Sequence, residues 1–217
     1  MSTMNRAVVT ATEPLAPGVV QVTIAFEKQF SFEPGQYVSV HYEDGASRAY
    51  CIASAPQRPG AVQLCVRLGS GAGSSALKEL HVGAKIDVEG PEGEFVLPRD
   101  DRREVVFVGG DVGIAPVRSL VLHMRASGDP RQITVLYEPV SGEMIYEADF
   151  RGLGASGAIR YLQGTVEEMV PAVKESLRDA TVMVAGYDPF LARAFAVLEA
   201  AGVARSGIRA ESFGTLR

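Results

Sequence analysis

VVFVGGDVGIAPVRSLVLHM, Val105 to Met124, is the stretch on which the fold turns. Its first four residues, Val105 to Val108, are β-branched or aromatic, with charge before them and glycine after. Such a short run predicts a strand buried on both faces. Gly109, Gly110 and Gly113 follow. Pro116 then suits the first position of a helix, because that N–H has no intrahelical partner anyway. Beyond it Val117, Leu120, Val121 and Met124 fall on one helical face. Strand, glycine turn and helix N-terminus together make a place where backbone N–H groups can meet a phosphate. Asp111 sits badly with that reading, since it puts a negative charge inside the turn.

Downstream, strands alternate with helices. ITVLYEP (133–139) and TVMVAGY (181–187) are further buried-strand runs, and AIRYLQG (158–164) is a smaller one. A helix is expected over VEEMVPAVKESL, and Asp188-Pro189 can cap and open another over FLARAFAVLEAAG, with Gly202 just past its end. Alternation of this kind predicts a parallel, Rossmann-like sheet with helices on both faces. Ligands of such sheets sit beyond the carboxyl ends of the strands, where GGDVGIAP and AGYDP both lie.

Upstream, residues 5–98 read as short strands: RAVVTATEPLAPGVVQVTIAF, PGQYVSVHY, RAYCIAS, AVQLCVRL and KIDVEG, with one short helix over 74–80. Turn signals at roughly 8 to 12-residue spacing predict a small antiparallel β-barrel. LPRDDRRE (97–104) is the best boundary, giving a barrel domain over 1–100 and an α/β domain over 101–217.

Composition excludes several classes of function. The formal charge of −5 is spread evenly, with no basic stripe for nucleic acid. No apolar run approaches the roughly eighteen residues of a membrane span. The N-terminus lacks the pattern of a secretion signal, so a cytoplasmic protein is expected. Cys51 and Cys65 have no metal-ligand spacing, and no metal site is expected. His41, His81 and His123 are scattered and read as ordinary histidines.

RAYCIAS and GAGSSAL in the barrel, then GGDVGIAP and AGYDPF in the α/β half, resemble the ferredoxin–NAD(P)+ reductase flavoproteins in motif order and spacing. The resemblance covers nearly the whole chain. It implies an FAD-binding barrel followed by a nucleotide-binding α/β domain, and passage of electrons from a nicotinamide nucleotide through flavin to a protein or haem.

By that resemblance Arg48 holds the flavin phosphate with a permanently charged fork, and Tyr50 lies against the ring system. Ala49, Cys51, Ser54 and Val66 complete the flavin contacts. Gly71, Gly73, Ser74 and Ser75 match the family's pyrophosphate loop, which favours FAD over FMN. EGPEGEFVLP resembles its last barrel strand. Cys51 departs from the usual Ser or Thr, whose hydroxyl is expected at the reactive flavin nitrogen; a thiol is a weaker donor.

In the nucleotide half, Gly110, Asp111, Gly113, Pro116 and Gly186 align with the family's binding residues, and Asp111 stands where the motif has its first glycine. If its carboxylate lay about 5 Å from a phosphate, repulsion would be roughly 3 kcal/mol at an effective dielectric near 20. A side chain rotated to solvent, or bonded to local backbone, would cost far less. Ala185 replaces a frequent cysteine. No arginine stands near Val140 to grip a 2′-phosphate, and Glu138 and Glu143 add negative charge, so NADH is favoured over NADPH. In the C-terminal ESF, Glu211 and Phe213 look like the family's ending and are catalytic candidates beside Cys51; as an alternative, Phe213 is a core residue.

The leading expectation is therefore an FAD-dependent oxidoreductase passing electrons from NADH to a separate acceptor: a ferredoxin, a haem protein or an oxygenase component. The second is a flavin-binding electron-transfer or interaction subunit with weakened nucleotide binding. The third is a scaffold that has lost both ligands.

Overall fold

The structure is a computed structural model and describes residues 3–57, 60–68, 79–142 and 144–215. The chain divides into two compact units, one of residues 1–96 with 118–126, the other of residues 97–117 with 127–217.

The first unit is an antiparallel six-stranded sheet: β1 (Met4–Ala16), β2 (Val19–Phe26), β3 (Tyr37–His41), β4 (Ser47–Cys51), β5 (Ala61–Arg67) and β6 (Lys85–Glu92). Spatial order is β4-β3-β6-β1-β2-β5. The two end strands meet just beyond β4, where Ile52 and Leu64 form an antiparallel bridge. Alternation follows the sequence, as in β3, where Val38 and Val40 are buried between half-exposed Tyr37, Ser39 and His41. The inner face gathers Val22, Ile24, Val38, Val40, Ile52, Leu64, Val66 and Val88. Each such aliphatic side chain contributes about 1.5–3 kcal/mol when fully buried.

A helical segment also belongs to this unit. Arg118 donates from Nη1 to Ala53 O at 2.8 Å and to Gln63 Oε1 at 2.9 Å. Ser119 Oγ donates to Ser54 O at 2.7 Å. These side chains satisfy two carbonyls just past β4, and Arg118 is thereby held rather than simply solvated.

The second unit is a five-stranded parallel sheet: β7 (Glu104–Gly110), β8 (Ile133–Glu138), β9 (Arg160–Gln163), β10 (Ala180–Gly186) and β11 (Ile208–Ser212), in the order β11-β10-β7-β8-β9. β7 and β10 are buried almost throughout, as their continuous apolar runs predict. The helices are α1 (Ile114–Ala126), whose residues from Arg118 onward belong to the first unit, α2 (Glu147–Ala155), α3 (Val166–Ala172) and α4 (Asp188–Ala200). Val106, Val108, Leu136, Val182 and Val184 pack with Met169 and Val170 of α3 and Leu191, Ala194 and Leu198 of α4.

Three local expectations need correction. α1 begins at Ile114, after a 3-10 turn over Asp111–Gly113, so Pro116 is its third residue rather than its first. It still lies in the first turn, where the missing N–H costs nothing. α3 stops at Ala172, one residue past Pro171, and the expected longer helix continues only as a separate 3-10 turn at Ser176–Asp179. Tyr187, not Asp188, precedes α4 as its cap residue, because the Asp188 carboxylate instead accepts the Ser212 hydroxyl at 2.5 Å. The short helix expected over 74–80 falls largely outside the described residues.

Candidate functional site

Within the first unit, strand pairing brings Arg48, Tyr50 and Tyr42 together. β3 and β4 pair with Val40 opposite Arg48 and Val38 opposite Tyr50. Period two then sets Arg48 and Tyr50 on one face, with Tyr42 one step diagonal to Arg48. The Tyr42 and Tyr50 hydroxyls lie 2.7 Å apart, and the Arg48 guanidinium carbon sits 4.6 Å from the Tyr42 ring centroid. Burial pushes both phenols above their ordinary pKa, so both keep their protons at neutral pH.

Two capacities are left over here. Arg48 Nη1 is buried and has no hydrogen-bond partner among the described residues. The phenol pair holds two O–H protons, and its mutual hydrogen bond uses one of them. A fixed guanidinium and a spare hydroxyl donor suit a phosphate or ribose oxygen. Among the described strands β4 pairs only with β3 along residues 47–50, before its end meets β5, so its other edge there offers backbone groups to a flat heterocycle. This donor set fits the phosphate and ring of a flavin nucleotide.

The other flavin candidates divide. Ala49 is exposed and Cys51 half-exposed, on the face of β4 opposite Tyr50. Ser54 is 2% exposed and its hydroxyl accepts the Gln63 N–H at 3.1 Å, a structural commitment. The Val66 side chain is wholly in the core. Gly71, Gly73, Ser74 and Ser75 lie outside the described residues.

Within the second unit, the carboxyl ends of β7, β10 and β11 converge. Gly110, Gly113 and Gly186 are glycine for reasons of packing. A Cβ on Gly113 would lie 2.1 Å from Ala185 O, and one on Gly110 or Gly186 would lie 2.5 or 2.6 Å from the Phe190 ring. Phe190 of α4 therefore occupies the side of Gly110 that a Cβ would take. Pro116 is buried in the same region.

None of these glycines is left-handed; Asp111 is, at φ 54°. This conformation costs an L-residue with a side chain roughly 1–2 kcal/mol, and Asp and Asn tolerate it better than most. Asp111 is 4% exposed, which removes the possibility of a carboxylate rotated to solvent.

Glu211 pairs in register with Ala185, and Ser212 with Gly186. Burial raises the Glu211 carboxyl above its ordinary pKa. Phe213 is half-buried rather than a core residue; its N–H donates to Gly186 O at 3.0 Å and its ring meets Tyr187 edge-on at 5.7 Å. Because the folded-state pKa of Glu211 is raised, its protonated form is favoured by folding. Its contribution is complete below the ordinary carboxyl pKa and is lost as pH rises through the raised value. Glu211→Gln should therefore raise Tm near pH 8 and leave it unchanged near about pH 4, read by thermal melts across that range.

At the end of β8, Glu138 is already engaged. Its carboxylate receives Arg193 at 2.9 and 3.0 Å and the Val166 N–H at 2.7 Å, while Arg193 also binds Glu167. The negative charge expected to face a ribose is thus largely tied to α3 and α4. Glu143 lies outside the described residues. Tyr42, Phe190 and Arg193 were not among the sequence candidates. Only Phe190 had a sequence signal, as the last residue of AGYDPF.

Residues 8–97 match the oxidoreductase FAD-binding domain family. The chain is similar to the reductase component of propane 2-monooxygenase from Rhodococcus jostii (strain RHA1), 27% identical over 96% of this chain and 63% of that protein. It is also similar to the phenol 2-monooxygenase reductase component DmpP of Pseudomonas sp. (strain CF600), 32% identical over 60% of this chain and 38% of that protein. The chain thus spans less than two thirds of the length of these relatives. Its fold matches the solved ferredoxin reductase in carbazole 1,9a-dioxygenase, with TM-score 0.84 and 20% identity over 98% of this chain and 70% of that one. No described helix is long and apolar enough to cross a membrane, and no described cluster of His, Cys, Asp or Glu could hold a metal ion.

Proposed function

We propose that this chain, whose residues 8–97 match the oxidoreductase FAD-binding domain family, is a ferredoxin reductase-like oxidoreductase that draws electrons from NADH through FAD to a separate acceptor protein. The observation that carries this reading is the buried, unpartnered Arg48 Nη1 beside the spare phenolic proton of the Tyr42–Tyr50 pair. Bound FAD supplies the redox chemistry, accepting an electron pair and releasing it one electron at a time.

The chain's own groups hold and shield. Arg48 takes the flavin phosphate, Tyr50 and the open edge of β4 orient the ring, and Cys51 offers a weak S–H donor. Gly71, Gly73, Ser74 and Ser75 serve the pyrophosphate, a role read from sequence. We take 1–100 and 101–217 as the flavin and nucleotide modules. Near Gly113, Ala185 and Gly186, Glu211 holds a proton to higher pH than an ordinary carboxyl, and Phe213 shields the nicotinamide position. NADH is favoured because the sequence has no arginine near Val140 to grip a 2′-phosphate. The acceptor is an oxygenase component, ferredoxin or haem protein, by analogy with the similar monooxygenase reductase components.

A second reading is favoured by Asp111. Asp111 puts a buried carboxylate in the turn just before α1, where the partial positive charge of a helix N-terminus would otherwise favour a phosphate. On this reading the chain is a flavin-binding electron-transfer subunit with weakened nucleotide binding. An anaerobic titration of the purified protein separates the two. Bleaching of the flavin by NADH, at lower concentration than by NADPH, supports the reductase. A yellow protein that dithionite reduces and neither nucleotide does supports the second reading, and a protein that takes up no FAD removes both.

A further inference from the structure

The chain contains two cysteines, Cys51 and Cys65, and neither is in a disulfide. Their positions follow from the bridge where the end strands of the first unit meet. Ile52 opposes Leu64 antiparallel, and the next step is marked by the Ala53 N–H donating to Gln63 O at 2.7 Å. Carried one residue the other way, this register sets Cys51 directly opposite Cys65. Side-chain alternation agrees, since Tyr50, Ile52, Leu64 and Val66 all belong to the inner core and their neighbours Cys51 and Cys65 therefore share the other face.

Directly opposed residues of an antiparallel pair have Cα atoms about 4.5–5.5 Å apart. A disulfide spans about 4.4–6.8 Å between Cα atoms and about 3.5–4.5 Å between Cβ atoms, so an opposed pair has the Cα separation and needs a small inward lean of the side chains to close the bond. Exposure differs in a useful way: Cys51 is half-exposed, whereas Cys65 is 5% exposed. The first can be reached by a small oxidant, and the second waits behind it.

We propose that Cys51 and Cys65 form a peroxide-reactive dithiol, with Cys51 the attacking and Cys65 the resolving cysteine. The Cys51 thiolate attacks one oxygen of hydrogen peroxide, the O–O bond breaks, and the departing hydroxide takes a proton to become water. The resulting Cys51 sulfenic acid is then attacked by the Cys65 sulfur, its S–O bond breaks, and a second water leaves as the S–S bond forms. Two thiols lose two electrons and two protons, and one peroxide gains them. The product ties the ends of the sheet where a single backbone bridge now joins them. The register stands independently of the flavin reading, but reach to Cys51 does not: a flavin held beside its S–H would cover it, so the dithiol belongs to the flavin-free protein.

The test is peroxide treatment of the folded full chain freed of flavin, with an FAD-loaded sample beside it in which Cys51 is expected to be protected, followed by alkylation under denaturing conditions and mass spectrometry. Both cysteines fall in one tryptic peptide, residues 49–67, because Arg58 is followed by proline and resists cleavage. Loss of two hydrogens from that peptide, with both sulfurs closed to alkylation until dithiothreitol is added, is the expected result. In Cys65→Ser the loss disappears and Cys51 accumulates as a sulfenic acid that a dimedone probe captures; in Cys51→Ser, Cys65 remains alkylatable. Oxidation of Cys51 to the sulfinic acid while Cys65 stays a thiol overturns the proposal. So does a disulfide joining two chains.

Discussion

Replacing Arg48 by alanine should weaken FAD binding by about two orders of magnitude. Removing one partner of a buried, hydrogen-bonded charge pair costs about 2–5 kcal/mol, and each 1.4 kcal/mol is roughly a factor of ten. Arg48→Lys should recover only part of this, since an ammonium is a point charge that cannot reproduce the planar fork. Two changes at Tyr42 separate its functions. Tyr42→Phe keeps a ring under the guanidinium and deletes one hydroxyl, a loss of about 1 kcal/mol, or several-fold in affinity. Tyr42→Leu removes the ring as well and should approach the Arg48→Ala value. Affinities come from fluorescence quenching as FAD is titrated into apoprotein. An Arg48→Ala protein that binds flavin as tightly as the parent would rule out the phosphate role.

Asp111→Gly should tighten NADH binding by about 100-fold if the carboxylate faces the nucleotide phosphates at about 5 Å. The structure adds an effect in the same variant that has nothing to do with charge. At φ 54° the aspartate carries a left-handed penalty of about 1–2 kcal/mol that glycine avoids. Glycine returns part of this as unfolded-chain entropy, roughly 0.5–1 kcal/mol. Asp111→Asn distinguishes the two contributions, because asparagine tolerates the same backbone but is neutral. Equilibrium titration with NADH and a urea melt, run on all three proteins, read affinity and stability separately. Asparagine and glycine variants that share one tightened affinity identify charge as the obstacle. Unchanged affinity in both assigns Asp111 to building the turn.

Continuous apolar runs made the parallel sheet legible, because a strand buried on both faces has few alternatives to Val, Ile, Leu and Phe. RAYCIAS was equally informative: the alternation that makes it a strand also aligns Arg48 with Tyr50. What escaped was set by partners distant in sequence. Nothing near GGDVGIAP shows that Phe190, eighty positions later, fills the space beside Gly110. Glu138 reads as an available carboxylate until Arg193, 55 residues on, is found bound to it. Tyr42 looks like the end of a strand, and its hold on Arg48 and Tyr50 depends on a diagonal across two strands. The left-handed backbone of Asp111 was hidden for another reason. The glycines around it suggested where conformational freedom was needed, but their missing Cβ atoms answer to packing, and the unusual dihedral fell to their neighbour.

The clasp formed by Arg118 and Ser119 bears on how this protein can be divided. A fragment ending at residue 100 would carry all six strands of the first sheet and yet lack the donors for Ala53 O and Ser54 O. Those carbonyls would turn to water instead, and each lost hydrogen bond costs about 0.5–1.5 kcal/mol, a noticeable fraction of the stability of a domain this size. Contiguity along the chain and completeness as a folding unit are therefore different properties here. Because residues 118–126 follow β7, the central strand of the second sheet, no single cut in the chain gives each unit all of its parts, and gene fusion or module exchange is expected to keep both units together.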